Sequence, residues 1–234
     1  MNDPVARLLA LAEADASVRT LEGRLSDLDR EEEHLRDRLA DEDEAFHHRQ
    51  ANHRALRLSA LAKSGEVDAT DEKIRTYQRK LDHDIIPYRE MEHLREQVTS
   101  LRARMDTLAD EALRLMAEAD ADEEKLQTET VEHTERRVRL EEDLAAVGRQ
   151  RSATVSKKEA LLGTRGELLQ QVPPHLRQQY ERLLGAGTPV VAVLDGRCGG
   201  CQLRLAEATM LRVKAGREAA TCEHCSRFLY LRPY

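Results

Sequence analysis

Aromatic residues are nearly missing from this sequence. There is no tryptophan, and Phe and Tyr together make up 3% of 234 residues. A globular domain of that length fills its core with large apolar side chains, so this composition does not build one large core. Long hydrophobic runs are missing too. The longest strictly apolar stretches, Leu8–Ala12 and Val190–Leu194, are five residues each. A membrane span needs about 20, so no membrane partner is expected. Met1-Asn2-Asp3-Pro4 lacks a basic leader and no apolar segment follows it, so the expectation is a soluble, cytoplasmic protein without a signal peptide. The sequence also lacks a serine nucleophile elbow, a phosphate-cradling glycine loop and an H-E-x-x-H zinc-protease motif. Nothing marks a small-molecule substrate, and the chain reads as a non-enzyme.

What is present is charge and helix formers. Charged residues make up 35% of the chain, with Ala, Leu, Glu and Arg dominant, a composition typical of coiled coils and long helices. Positions spaced alternately by three and four from Leu11 to Ala60 are apolar in eleven of fifteen cases. That regularity puts one stripe along a helix and favours left-handed supercoiling. A second stripe, from Leu94 to Val147, is apolar in eleven of sixteen cases. Its exceptions (Asp122, Glu129, His133, Arg136 and Asp143) cluster at 122–143, where looser packing or a phase shift is expected.

Two stripes require a turn. Ser64–Thr70 offers Gly65 as a helix stop and Asp68 or Thr70 as a new cap. Ile85-Ile86-Pro87-Tyr88 offers a proline that disfavours helix before it and suits the first turn after it. Arm length decides for the second, because 5–83 and 88–170 are nearly equal. The expected architecture is mostly α: a two-helix antiparallel coiled-coil hairpin over 1–172 with its tip near 84–88, a kink near Gly65, and arms about 120 Å long. The rod supplies a long surface for a protein partner. Its histidines, including His47, His48 and His53, have no i,i+4 pairing and are expected on solvated faces.

Val172-Pro173-Pro174 ends the long helix. The remaining segment, 173–234, reads as a small separate domain. A short helix is expected at His175–Leu184, a strand at Val190–Leu194, a turn at Asp195-Gly196 and a final strand at Phe228–Leu231. Between the strands lies Cys198-Gly199-Gly200-Cys201, then twenty residues, then Cys222-Glu223-His224-Cys225. This C-x2-C-x20-C-x2-C pattern uses every cysteine in the chain. Two residues between cysteines bring both sulfurs to one ion, and two such turns complete a tetrahedron. A thioredoxin-like site needs one C-x-x-C in a βαβ setting, and structural disulfides need an oxidising compartment. Zinc is the expected ion, one per chain and structural. A rubredoxin-like iron site would use the same four thiolates and stays open. His224 lies inside a turn that already offers two sulfurs and reads as a surface residue.

Charge divides the chain. From His175 to Tyr234 there are nine Lys/Arg against five Asp/Glu, a net +4, leaving −11 of the total −7 for residues 1–174. Four thiolates with one Zn²⁺ would reduce the head to about +2. An acidic rod thus carries a basic head. Its cations Arg197, Arg204, Arg212, Lys214, Arg217, Arg227 and Arg232 are the candidate nucleic-acid contacts. Aromatic residues for base stacking are scarce there: Phe228, Tyr230 and Tyr234.

Several segments resemble a known family. Tyr180-Glu181-Arg182-Leu183, Val190–Leu194, Gly196–Cys201, Leu205 and Cys222–Tyr230 resemble the bacterial C4-type zinc-ribbon proteins with an N-terminal coiled-coil hairpin. Pro87–Leu94 is similar to that family's stretch just after the hairpin tip. The resemblance implies zinc at the four cysteines. It also implies an adaptor or regulatory role near transcription or RNA, since members are commonly described as nucleic-acid-binding zinc-ribbon proteins. One departure matters: the family usually has glycine after the last cysteine, where this chain has Ser226. If that position is left-handed, serine costs about 1 kcal/mol.

Overall fold

A computed structural model of the protein describes residues 4–231. Two long helices, α1 (Pro4–His83) and α2 (Tyr88–Gln171), form a hairpin. The chain reverses at 84–87. The Asp84 amide donates to Lys80 O at 3.1 Å and closes α1, and Pro87 O accepts from the amides of Glu90 and Met91 at 2.9 and 3.0 Å to open α2. Proline favours this break because it forces Ile86 out of the helical region. α1 runs through 64–70 without interruption. Thr70, a candidate cap for a second helix, instead donates its hydroxyl to Glu66 O one turn back.

The hairpin's tip side, His34–Leu144, is one compact unit. Every stripe position from Leu35 to Ala60 is at least half-buried there, as the 3.5-residue period requires. On α2, Arg136 and Asp143 are exposed, while Leu144, one position on, is half-buried. Leu140 and Val147 on either side are buried, so the seam keeps its seven-residue phase and only loosens at these positions. Where apolar residues fail, the seam is polar and paired. The Arg49 guanidinium contacts Asp122 at 2.8 and 3.1 Å and lies 2.7 Å from Glu129. Asp122 is held below the usual carboxylate range, first by the hydrogen bond from Arg49 and then by His53.

The expectation that the rod's histidines are solvated is corrected at two of them. His53 and His133 are 6% and 8% exposed. His53 Nδ1 is 2.8 Å from Asp122 Oδ2. Its Nε2 is 2.7 Å from Glu123, outside hydrogen-bond geometry. His133 Nε2 is 3.1 Å from Asp43, and its ring stacks on Phe46 with centroids 4.1 Å apart. Buried polar groups need partners, and these come from the opposite helix. His47 and His48 are exposed as expected.

The second compact unit joins Met1–Glu33 to Ala145–Tyr234. It holds the hairpin base, α3 (Pro174–Leu184), a three-stranded sheet and α4 (Glu207–Ala215). The strands are β1 (Val190–Leu194), β2 (Arg197–Cys198) and β3 (Phe228–Tyr230), in the order β2-β1-β3. β1 and β2 are antiparallel across a turn in which Asp195 and Gly196 both have positive φ, 49° and 72°. Such a turn matches the natural twist of a hairpin. β3 lies parallel to β1, with Val190 opposite Phe228 and Ala192 opposite Tyr230.

Alternation along the strands creates two cores. Val190 and Phe228 pack with Leu8, Leu11, Val172 and Tyr180 against the hairpin base. Val191, Val193 and Leu229 face the other way, towards Leu205, Val213, Ala220 and the cysteines. The base is further tied by one buried polar cluster. The Tyr180 hydroxyl donates to Asp15 Oδ2 at 2.6 Å, and Arg165 Nε donates to Asp15 Oδ1. Among the described residues, no helix is long and apolar enough to cross a membrane.

Candidate metal centre

The two cysteine pairs sit on turns built alike. In the first, the Gln202 amide donates to Cys198 O at 2.7 Å and the Cys198 amide to Leu203 O at 3.0 Å. In the second, the Ser226 amide donates to Cys222 O and the Cys222 amide to Arg227 O, both at 2.9 Å. The amides of Gly200 and His224 point at Cys198 Sγ and Cys222 Sγ, each at 3.4 Å. Each turn ends on a residue with positive φ, 65° at Gln202 and 59° at Ser226. The family-based concern about Ser226 thus applies, and Gln202 carries the same strain. Replacing Ser226 with glycine is expected to stabilise the head by up to about 1 kcal/mol. Urea denaturation of the zinc-loaded protein reads the gain, and an unchanged midpoint would show that Ser226 is unstrained.

Glycine is required at 199 for a different reason. The Gly199 amide donates to Ala192 O at 2.9 Å. A Cβ at 199 would lie 2.5 Å from that same oxygen, so any larger residue would push the first cysteine turn off β1.

The four Sγ atoms lie within 4.8 Å of one another. Cys198 and Cys225 are 3.7 Å apart, and Cys201 and Cys222 are 3.8 Å apart. A tetrahedron with Zn–S bonds of about 2.3 Å has S···S edges of about 3.8 Å. A disulfide would bring two sulfurs to about 2.05 Å. The donor set therefore fits one zinc ion with four thiolates and no disulfide. Burial alternates within each pair: Cys198 and Cys222 are buried, while Cys201 and Cys225 are half-buried.

Without a metal, these thiols hold protons unequally. Burial pushes Cys198 up and Cys222 up to about 12. At Cys225, burial is outweighed by the Arg227 amide and the neighbouring thiols, and the group titrates below the usual thiol range. A metal must displace the protons that remain.

The structure also shows α4, which sequence reasoning missed. No side chain of its own caps it, and Ala206 occupies the cap position. Glu223, from the second cysteine turn, accepts from the Ala206 amide at 2.7 Å instead, and this bond holds Glu223 below its usual range. The signals left in the sequence are Glu207 in the first turn, Arg212 and Lys214 in the last, and Gly216 as a left-handed stop at φ 60°.

Among the described residues, the candidate nucleic-acid contacts are exposed with one exception, Arg227. Arg197 and Arg204 face each other across a β-bridge, and Arg212 and Lys214 lie in the last turn of α4, just before Arg217. Arg227 is half-buried and lies across Gly200, where a Cβ would be 2.6 Å from its Nη1. Arg232 and Tyr234 fall outside the described residues. His224 is exposed, as expected.

Residues 11–188 match the model of the CT398-like coiled coil hairpin domain. The chain belongs to that family. Residues 197–229 match the C4-type zinc ribbon domain, with all four cysteines inside the match. The fold is shared with solved structures of low identity. CT398 from Chlamydia trachomatis is 20% identical with a TM-score of 0.76, covering 98% of both chains. A protein from Mycobacterium smegmatis is 18% identical with a TM-score of 0.63, covering 99% of both. HP0958 from Helicobacter pylori is 21% identical with a TM-score of 0.51, covering 99% of this chain and 98% of that one. No curated protein matches. The matching families are structural domains and not known enzyme families. The ribbon match and the clustered cysteines agree on one structural Zn²⁺.

Proposed function

We propose that this protein is a non-enzymatic, transcription-associated adaptor whose zinc-ribbon head binds nucleic acid, acting in a reducing cytoplasm. The observation that carries this reading is a contrast in charge pairing. In the hairpin, many arginines are paired with carboxylates, among them Arg49, Arg136, Arg137 and Arg151. In the head, no carboxylate among the described residues pairs with Arg197, Arg204, Arg212, Lys214, Arg217 or Arg227. Unpaired cations on a small rigid scaffold suit phosphate contacts, which carry most non-specific affinity. Four thiolates fill the coordination of a zinc ion, so the metal serves folding and leaves no position for substrate.

The test is fluorescence anisotropy of labelled DNA and RNA with the zinc-loaded full chain across a salt series. Binding is expected to weaken steeply with salt. Replacing Arg212, Lys214 and Arg217 with alanine should reduce the log–log salt slope by about two to three units. Binding unchanged by the triple variant would overturn this site.

A second reading, a protein-interaction scaffold without nucleic-acid binding, is favoured by one feature. At the helix reversal, Ile85 is fully exposed and Tyr88 is 69% exposed. Exposed apolar side chains on a fixed turn suit a protein pocket. This reading takes over if no nucleic acid binds.

A further inference from the structure

We infer that the sheet face beside the first cysteine turn is a slot for one base of a single-stranded nucleic acid, with Tyr230 as the stacking surface and Arg227 as the phosphate contact. This rests on the nucleic-acid reading above and adds to it a location and a preference for single strands.

Val190, Ala192 and Leu194 share one face of β1 by alternation, and Phe228 and Tyr230 share the same face of β3. The first pair, Val190 and Phe228, is closed off against the hairpin base, at 4% and 1% exposure. One step along, the face opens. Ala192 and Tyr230 are opposite each other and half-buried, Tyr230 resting partly on the hairpin-base cluster, and Leu194 is 53% exposed. The opening is a hollow of about 450 Å³ that these three residues line together with Thr188, Gly200 and Arg227. That volume is within the ordinary range of ligand pockets.

Each lining residue has a reason to suit a base. Ala192 is the smallest side chain that could stand opposite Tyr230, so it leaves room beside the ring. Leu194 gives an apolar floor. Gly200 has no side chain, which lets the Arg227 guanidinium lie over the turn: a Cβ there would be 2.7 Å from Arg227 Cδ and 2.6 Å from Nη1. Arg227 is thereby held at the rim of the hollow, half-buried, with no carboxylate partner among the described residues. A cation fixed beside an aromatic ring and an apolar floor provides the two contacts that single strands use, phosphate to arginine and base to ring. Paired bases in a duplex are stacked on each other and cannot enter. The five other described candidate contacts, Arg197, Arg204, Arg212, Lys214 and Arg217, reach either form.

The experiment uses the zinc-loaded full chain and a labelled oligothymidylate of about 12 nucleotides, with a hairpin duplex of similar length for comparison. Tyr230→Leu should weaken oligothymidylate binding about tenfold, and Tyr230→Phe should stay within about twofold of the parent. The duplex should show neither effect. Leu194→Glu, at an exposed position, should weaken the single strand in the same way, and the zinc content of each variant confirms that the head is folded. If Tyr230→Leu and Leu194→Glu bind the single strand as the parent does, while the Arg212/Lys214/Arg217 variant is weakened, the slot is overturned and the nucleic-acid reading stands. If the parent binds neither probe, both fall.

Discussion

Replacing Cys222 with serine is expected to abolish zinc binding and unfold the head, while most of the helical signal survives. The reason is the size of the core that the head can build for itself. Its metal side contains Val191, Val193, Leu205, Val213, Ala220 and Leu229 besides the cysteines. A core of that size falls far short of what independent folding needs. Structural zinc in small domains contributes about 10–16 kcal/mol at neutral pH, enough to decide whether the domain exists. Cys222 is 2% exposed, and its thiol is pushed up to about 12 when no metal is present. Zinc uptake therefore releases protons, and zinc affinity should rise with pH and fall on acidification. Amide hydrogen exchange reads the outcome: protection should vanish from β1, α4 and β3 in Cys222→Ser and persist through the middle of α1 and α2. A variant that keeps one zinc and its ribbon protection would overturn the claim that the metal holds this domain together.

The second large effect is expected at Asp15. This carboxylate is 5% exposed and accepts from both Arg165 and the Tyr180 hydroxyl, and Tyr180 itself is fully buried. Asp15→Ala leaves a half-buried guanidinium and a buried hydroxyl without their acceptor. Such losses cost about 3–5 kcal/mol, against about 1–2 kcal/mol for Tyr180→Phe, which removes one hydrogen bond. Urea denaturation of the two variants should show that order, and equal midpoints would contradict it.

The same cluster sets an alkaline limit. Burial, then the hydrogen bond to Asp15 and its charge, raises Tyr180 well above its ordinary range. The folded protein keeps the proton, whereas the unfolded chain loses it near pH 10. The contribution is therefore fully present below about pH 10 and lost as pH rises beyond it. In Tyr180→Phe the alkaline fall in stability should flatten.

Much of this structure can be read from short-range patterns. Pro87 places the reversal because its restriction acts on the residue next to it, and the Asp195-Gly196 turn and both C-x-x-C turns are equally local. The stripes from Leu11 and Leu94 mark the seam because helix periodicity is a local property. The features that escaped reading depend on partners far along the chain. His53 and His133 stand at seam positions, but the carboxylates that meet them, Asp122 and Asp43, come from the opposite helix and no local pattern announces them. Helix α4 has no cap of its own and takes one from Glu223, beyond its far end. Tyr180 reads as one face of a short helix, and nothing nearby announces that its hydroxyl meets Asp15, 165 residues earlier. The parallel pairing of β1 with β3 is hidden for the same reason, since the segment between them gives no register.

The most direct test of the account is X-ray absorption at the metal edge of the purified full chain, with elemental analysis of the same sample. The result expected is one zinc per chain with four sulfur neighbours at about 2.3 Å and no oxygen or nitrogen ligand. Iron in that position, or a first shell containing oxygen or nitrogen, would contradict a closed structural zinc ribbon.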